Sequence, residues 1–364
     1  MSEERAQELW DEADDLPNGP TKVALLEEAI READRAGWLP GSYEIRKSLM
    51  EAASFGGADE RLLTAFSWCL AKSDELPDEY PDVDLLWQYK WVVGAALGFP
   101  SVSLEQIETM LVDFSTRLEQ NGFNLRPALN LRMRICMFVG DLDGAEKQRE
   151  LYQDVERDEM ADCRACELDR LVDLACLQQH HELAMERAEL LLNKTLGCAT
   201  VPHRTYPKLM LSALGVGDKE LAKQLHVRGY PMVYRHPDLL DYVGFHAVYL
   251  AHQRDVKKGL DLMDKHFARA FALKEVETRC DFYAGCLALA RTIAKTGAVH
   301  VPIRLPPAHP LRKQAADDAS TSVTALADWL EQEVRAICSA FDARHGNRWR
   351  TESFERHMRL ANCL

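Results

Sequence analysis

Turn signals at a nearly constant interval most constrain how this 364-residue chain can fold. Between them, apolar residues follow helical spacing, and no run alternates with the two-residue period of a half-buried strand. One helix-opening position recurs with gaps of 37, 43, 41, 39, 38 and 37 residues. It is occupied by Ala24, Arg61, Leu104, Ala145, Ala184, Ala222 and Gly259. This period predicts an all-α solenoid, because a helical hairpin of this length must stack on its neighbours to bury its apolar face.

Two turns show the self-similarity most clearly, residues 140–145 (GDLDGA) and residues 217–222 (GDKELA). Glycine permits a left-handed backbone where a helix ends, and alanine permits close helix contact. The first turn and the following helix, with Leu151 and Tyr152, resemble a tetratricopeptide repeat. The resemblance spans roughly residues 18–296. It implies an α-solenoid, a right-handed superhelix of about seven helix-turn-helix repeats that binds a partner on its concave surface.

Prolines divide the chain near its C-terminus. Residues 297–312 contain four prolines, which are incompatible with a continuous helix. We therefore expect a repeat array over residues 1–296, a Pro-rich linker or arm over 297–319, and a C-terminal helical cap over 320–364. The cap opens on a serine-rich stretch, which is typical of a helix N-terminus.

Composition narrows the class of partner. A net charge of −14 disfavours binding to phosphate backbones, so we expect no nucleic-acid partner. The N-terminus lacks the apolar core of a signal peptide, and the longest apolar stretch, residues 91–100, is too short to span a bilayer. Ten cysteines scattered along apolar helix faces are typical of reduced core thiols. We predict a cytoplasmic protein without a membrane partner.

The sequence also lacks the common catalytic signatures. It contains no GxxxxGK[ST] phosphate loop, no GxSxG elbow and no HExxH helix. We therefore expect a protein that is not an enzyme and carries no cofactor or metal. Cys163, Cys166, Cys176 and His180 leave a metal-binding alternative open, since thiolate and imidazole are zinc ligands. Core thiols and a histidine at a turn are the favoured interpretation.

The candidate binding residues lie on the first helix of each hairpin. Fourteen residues before four of the recurring positions, the sequence has a basic side chain in an acidic protein. In the resembled family, such first-helix residues clamp a partner's carboxylates. That set is Lys47, Lys90, Asn130, Arg134, Arg170 and Lys208. The same helices offer neighbouring side chains for apolar or polar contact: Tyr43, Tyr89, Tyr242 and His246.

Together these features predict a non-catalytic adaptor or regulatory scaffold, with an extended and acidic peptide segment held in its groove. The basic side chains also have nearby acids to pair with, so a solvated surface is the competing interpretation. A second alternative is a peptide-sensing receptor of the same repeat class. A third is a structural subunit in which the C-terminal arm or another copy of the chain fills the groove.

Overall fold

A computed structural model of the chain describes residues 3–314 and 320–363. The described residues form 17 α-helices and only two two-residue strands, which confirms the predicted all-α class. The helices are α1 (Glu3–Asp14), α2 (Pro20–Ala36), α3 (Leu39–Gly56), α4 (Asp59–Glu75), α5 (Leu86–Ala96), α6 (Leu104–Gln120), α7 (Arg126–Val139), α8 (Leu142–Gln153), α9 (Arg164–Leu177), α10 (His181–Leu192), α11 (Thr205–Gly215), α12 (Lys219–Val233), α13 (Leu240–Gln253), α14 (Val256–Ala272), α15 (Val276–Ala294), α16 (Val323–His345) and α17 (Trp349–Leu360).

The recurring position marks the second helix of each pair. All seven occurrences lie within the first five residues of an even-numbered helix, from α2 to α14. The candidate binding residues all lie on the odd-numbered helices. We therefore call the odd-numbered helices from α1 to α13 the first helices, and the even-numbered helices from α2 to α14 the second helices.

Local sequence explains where these helices begin and end. Gly140 and Gly217 have φ angles of 85° and 81°, which confirms the left-handed turns predicted there. The carboxylate of Asp218 caps α12 by accepting a hydrogen bond from the Leu221 N–H at 2.9 Å. Ser103 forms a capping box with Gln106 at the start of α6.

The chain divides into two compact units. Unit 1 comprises residues 1–135, 143–161 and 236–238, and unit 2 comprises residues 136–142, 162–235 and 239–364. In unit 1, α1 to α6 pack in succession, and α3 also contacts α1 and α5. In unit 2, α9 to α17 pack in succession, and the odd-numbered helices α9, α11, α13 and α15 contact one another in turn. Within each unit, neighbouring helices thus pack in chain order.

The Pro-rich segment packs within unit 2. A two-residue strand, β1 (His300–Val301), pairs antiparallel with β2 (Thr321–Ser322), an element that the sequence did not predict. Ile303 and Leu305 are buried, and a 3-10 turn spans Pro310–Gln314. Residues 315–319 of the predicted linker lie outside the described residues, as do Met1, Ser2 and Leu364.

Within the described residues, no helix is both long and apolar enough to cross a membrane.

Candidate functional site

Two of the predicted basic residues are buried. Lys90 on α5 is 4% exposed, and its ammonium donates a hydrogen bond to the Met160 carbonyl at 2.9 Å. The same ammonium lies 3.3 Å from the centre of the Trp87 ring, a cation–π contact. Lys90 therefore holds the loop after α8 against α5 within unit 1. A charge reversal here would place a carboxylate against a carbonyl and would destabilise the protein as well as any interface.

Lys208 on α11 belongs to a buried charge network in unit 2. Its ammonium lies 3.2 Å from the carboxylate of Asp169 and 3.1 Å from that of Asp173. Asp169 is 1% exposed and also accepts hydrogen bonds from Arg204 at 2.7 Å and Thr205 at 2.5 Å. Burial alone would raise the pKa of Asp169, but Lys208 and Arg204 outweigh it and lower the pKa to about 2. The network stays ionised at neutral pH and joins α9 to α11.

Three other members of the predicted set are only partly buried. Lys47 pairs with Glu44 at 3.3 Å and lies 5.8 Å from the centre of the Tyr43 ring. Arg134 places its guanidinium on Gly94, where no larger residue would leave room for it. Arg170 is also intermediate in exposure. A partner can reach part of each of these three side chains.

The remaining candidates are mostly core residues. Asn130 is 3% exposed and His246 is fully buried, with its Nδ1 3.0 Å from Nδ1 of His226. Burial and the neighbouring His226 hold the pKa of His246 well below its usual value, so this imidazole is neutral at pH 7. Tyr43 is 1% exposed. His246 thus joins α13 to α12 through His226, while Asn130 and Tyr43 are buried within unit 1.

Two tyrosines complete the predicted set. Tyr89 is buried and donates a hydrogen bond to the Asp113 carboxylate at 2.7 Å. The ring of Tyr242 is partly buried and lies 5.8 Å from the Lys208 ammonium. Tyr89 thus joins α5 to α6, and Tyr242 borders the charge network of unit 2. A role for any of these ten residues in partner binding stays a prediction.

The C-terminal helix packs on three odd-numbered helices of unit 2. Helix α17 packs against α11, α13 and α15. The ring of His357 lies 5.1 Å from that of Phe245, and Arg350 pairs with Asp281 at 2.8 Å. The Leu360 carbonyl lies 2.6 Å from Nδ1 of His252. The alternative of self-occupancy named the arm at 297–319 or another copy of the chain, whereas the segment that the structure places on α11, α13 and α15 is α17.

Exposed apolar side chains recur on the second helices. α6, α8, α10 and α12 each carry one exposed large apolar residue, between 45% and 63% exposed. Each is the ninth or tenth residue of its helix, and successive members are 39, 39 and 37 residues apart. We call this set the apolar series: Val112, Leu151, Leu190 and Val227.

Three cysteines of unit 2 come together, but they are not the set considered from the sequence. The sulfurs of Cys163, Cys166 and Cys198 all lie within 4.8 Å of one another. Cys176 is elsewhere, with its thiol beside Ser212 and Asp173, and His180 is exposed at the start of α10. The alternative grouping with Cys176 and His180, which the sequence left open, is therefore not formed in the structure. We call Cys163, Cys166 and Cys198 the thiol cluster.

The thiol cluster is built by one helix start and one loop. Cys163 is the N-cap of α9, and its sulfur accepts a hydrogen bond from the Cys166 N–H at 3.3 Å. Cys198 lies between α10 and α11, where its N–H donates to the Val201 carbonyl at 2.9 Å. The sulfurs of Cys166 and Cys198 are 3.3 Å apart. A hydrogen bond from the Cys166 thiol lowers the pKa of the Cys198 thiol, which favours a thiolate at Cys198.

Comparison with known proteins finds no matching family model, no similar curated protein and no similar solved structure.

The apolar series and Cys198 are the two features that sequence reasoning missed. The apolar series had a signal, because its spacing repeats the period of the recurring position. Cys198 had none, since its approach to Cys163 depends on the path of the loop between α10 and α11.

Proposed function

We propose that this chain is a non-catalytic scaffold of stacked helical hairpins that binds another protein along its second helices. The observation that carries the proposal is the recurrence of the apolar series at one position of the second helices, twice in unit 1 (Val112 and Leu151) and twice in unit 2 (Leu190 and Val227). Single exposed apolar residues are ordinary on soluble proteins and need no explanation. Recurrence at the repeat period is different, because it places exposed apolar side chains at equivalent surface positions of neighbouring hairpins, as a partner-binding surface would.

The first-helix face is a weaker candidate for the same role. Lys90 and Lys208 use their ammonium groups within their own units, and α17 covers α11, α13 and α15. Lys47, Arg134 and Arg170 keep partial exposure and stay as candidate contacts for an acidic segment. Seven tetratricopeptide-like repeats in a right-handed superhelix, and a cytoplasmic location, also belong to the proposal.

The expected free energies of binding favour the apolar series over exposed ion pairs as the main source of affinity. Full burial of a valine or leucine side chain contributes about 1.5–3 kcal/mol. Each member is already about half buried, so an interface would gain about 1 kcal/mol from each. The two members within one unit then contribute about 2 kcal/mol, or roughly 30-fold in affinity at 1.4 kcal/mol per tenfold. An exposed ion pair contributes about 0–1 kcal/mol by comparison.

The test is capture of a binding partner by the purified full chain and by a variant carrying Val112→Ser, Leu151→Ser, Leu190→Ser and Val227→Ser. We expect the wild type to retain a partner at high salt, and the variant to lose it while its circular dichroism and melting temperature stay close to those of the wild type. Val216 and Val299 are 58% and 67% exposed and lie outside the second helices. The double variant Val216→Ser, Val299→Ser is therefore the matched control and should retain the partner.

Two outcomes would count against the proposal. Equal capture by the wild type and the four-site variant would remove the apolar series from the interface. Capture that disappears at high salt in the wild type would instead point to the cations Lys47, Arg134 and Arg170, because salt screens charge contacts and strengthens apolar ones.

A further inference from the structure

We propose that the thiol cluster of Cys163, Cys166 and Cys198 is a zinc site of unit 2, with three sulfur ligands and a fourth position facing solvent. The proposal is independent of partner binding by the second helices.

The spacing of the sulfurs suits a tetrahedral ion. Zinc binds cysteine sulfur at about 2.3 Å, so two sulfurs of a tetrahedral site lie about 3.8 Å apart. The Cys166 and Cys198 sulfurs are 3.3 Å apart, and no pair in the cluster exceeds 4.8 Å. Shifts of about 1 Å or less would bring all three to ligand distance. Among the described residues, no other group of three histidine, cysteine or acidic side chains converges in this way.

The backbone fixes the ligands before an ion arrives. Cys163 and Cys166 flank the first turn of α9, where a three-residue offset points both side chains to one side. The N–H of Cys166 donates to the Cys163 sulfur, a hydrogen bond that orients the sulfur. Cys198 sits in a turn closed by its hydrogen bond to the Val201 carbonyl. Folding therefore already orders the three ligands, so little further conformational entropy is lost when an ion binds.

Positive charge beside the cluster offsets part of the negative charge that three thiolates bring to an ion. The N-terminus of α9 carries a partial positive charge, and Arg204 lies close enough to Cys166 to act on it electrostatically. Arg204 is held in place by its 2.7 Å contact with Asp169. Zinc with three thiolates has a net charge of −1, and Arg204, which also pairs with Asp169, lies beside it. Binding releases to solvent the thiol protons that are still present.

The chemistry of the three sulfur donors decides which metal the site prefers. Three thiolates favour zinc over magnesium or calcium, which bind through oxygen. Cys163 is exposed, so the fourth position is open to water or to a ligand from solution. Three protein ligands with one open position is also the arrangement of catalytic zinc sites, in contrast to closed structural sites with four.

The experiment uses untagged full-length protein purified under reducing conditions without chelator. We expect about one equivalent of zinc by elemental analysis. After removal of zinc, titration with Co²⁺ should give intense tetrahedral d–d bands and thiolate-to-cobalt charge transfer. Cys163→Ser is the principal variant, because Cys163 is exposed and its loss leaves the core intact. Loss of a group that only hydrogen-bonds to a metal ligand weakens metal binding by about 10–100-fold. Loss of the Cys163 ligand itself should weaken zinc binding by more than that.

Cys176→Ser is the matched control, since Cys176 lies in the same unit and outside the cluster. It should bind zinc as the wild type does. The proposal is overturned if the wild type holds no zinc and gives no thiolate-to-cobalt band. It is also overturned if Cys163→Ser and Cys176→Ser bind zinc equally, or if freshly alkylated protein shows a Cys166–Cys198 disulfide in place of the metal.

Discussion

At the scale of single residues, the sequence predicted which helix a side chain lies on, but not whether that side chain faces solvent or the core. Lys90 and Lys208 lie on first helices, as predicted, yet both are buried. Helices α5 and α11 are apolar around most of their circumference, so periodicity marks no exposed face on them. The acceptor of Lys90 is a carbonyl 70 residues away, which no local pattern reveals.

The charge network of unit 2 gives a residue-scale prediction. Asp169→Asn removes a buried carboxylate and leaves Arg204 and Lys208 without their shared partner. Loss of one member of a buried ion pair costs about 3–5 kcal/mol, because the remaining charge is desolvated and uncompensated. We expect the urea midpoint of unfolding to fall accordingly. Asp328→Asn, at an exposed position on α16, should change the free energy of unfolding by less than about 0.5 kcal/mol.

The pH dependence of that difference checks its cause. The pKa of Asp169 is lowered from 3.8 to about 2 in the folded protein. Its stabilisation is therefore complete above the unfolded-state pKa and is lost as pH falls toward 2. Between pH 7 and pH 3, the gap between wild type and Asp169→Asn should narrow by about 1 kcal/mol. An unchanged gap at pH 3 would show that the carboxylate charge is not its source.

At the scale of elements, close helix approach is set by glycine. Gly285 on α15 faces Gly244 on α13, and a Cβ added at Gly285 would lie 2.2 Å from the Gly244 carbonyl oxygen. Gly285→Ala should therefore push α13 and α15 apart and cost about 1–3 kcal/mol, the usual range for overpacking. The measurement is the melting temperature by circular dichroism.

Gly215→Ala is the control for this pair of helices. Gly215 ends α11, and a Cβ there would meet nothing within 4 Å. Alanine has the higher helix propensity, so this change should be neutral or slightly stabilising. Equal melting temperatures for the two variants would contradict the tight packing of α13 on α15.

At the scale of the whole molecule, the repeat interval predicted where the second helices begin, because turn residues are a local property of the sequence. The placement of α17 could not be predicted in the same way. Its contacts with α13 join residues more than 100 positions apart, as His252 and Leu360 show. The thiol cluster could not be predicted for the same reason, because Cys198 lies 32 residues beyond Cys166 in the sequence and only the path of the chain brings the two together.

Stacked helices also predict uneven stability along the chain. In such an architecture each helix is stabilised mainly by its neighbours, so local opening free energies follow local burial. Twelve of the 19 residues of α15 are buried, compared with two of the 12 residues of α8. Hydrogen exchange followed by mass spectrometry should therefore find amides of α13 and α15 the slowest, and those of α8 faster by orders of magnitude. Uniform protection across α8 and α15 would mean that the chain opens only as one cooperative block, in contrast to a stack whose helices open according to their own contacts.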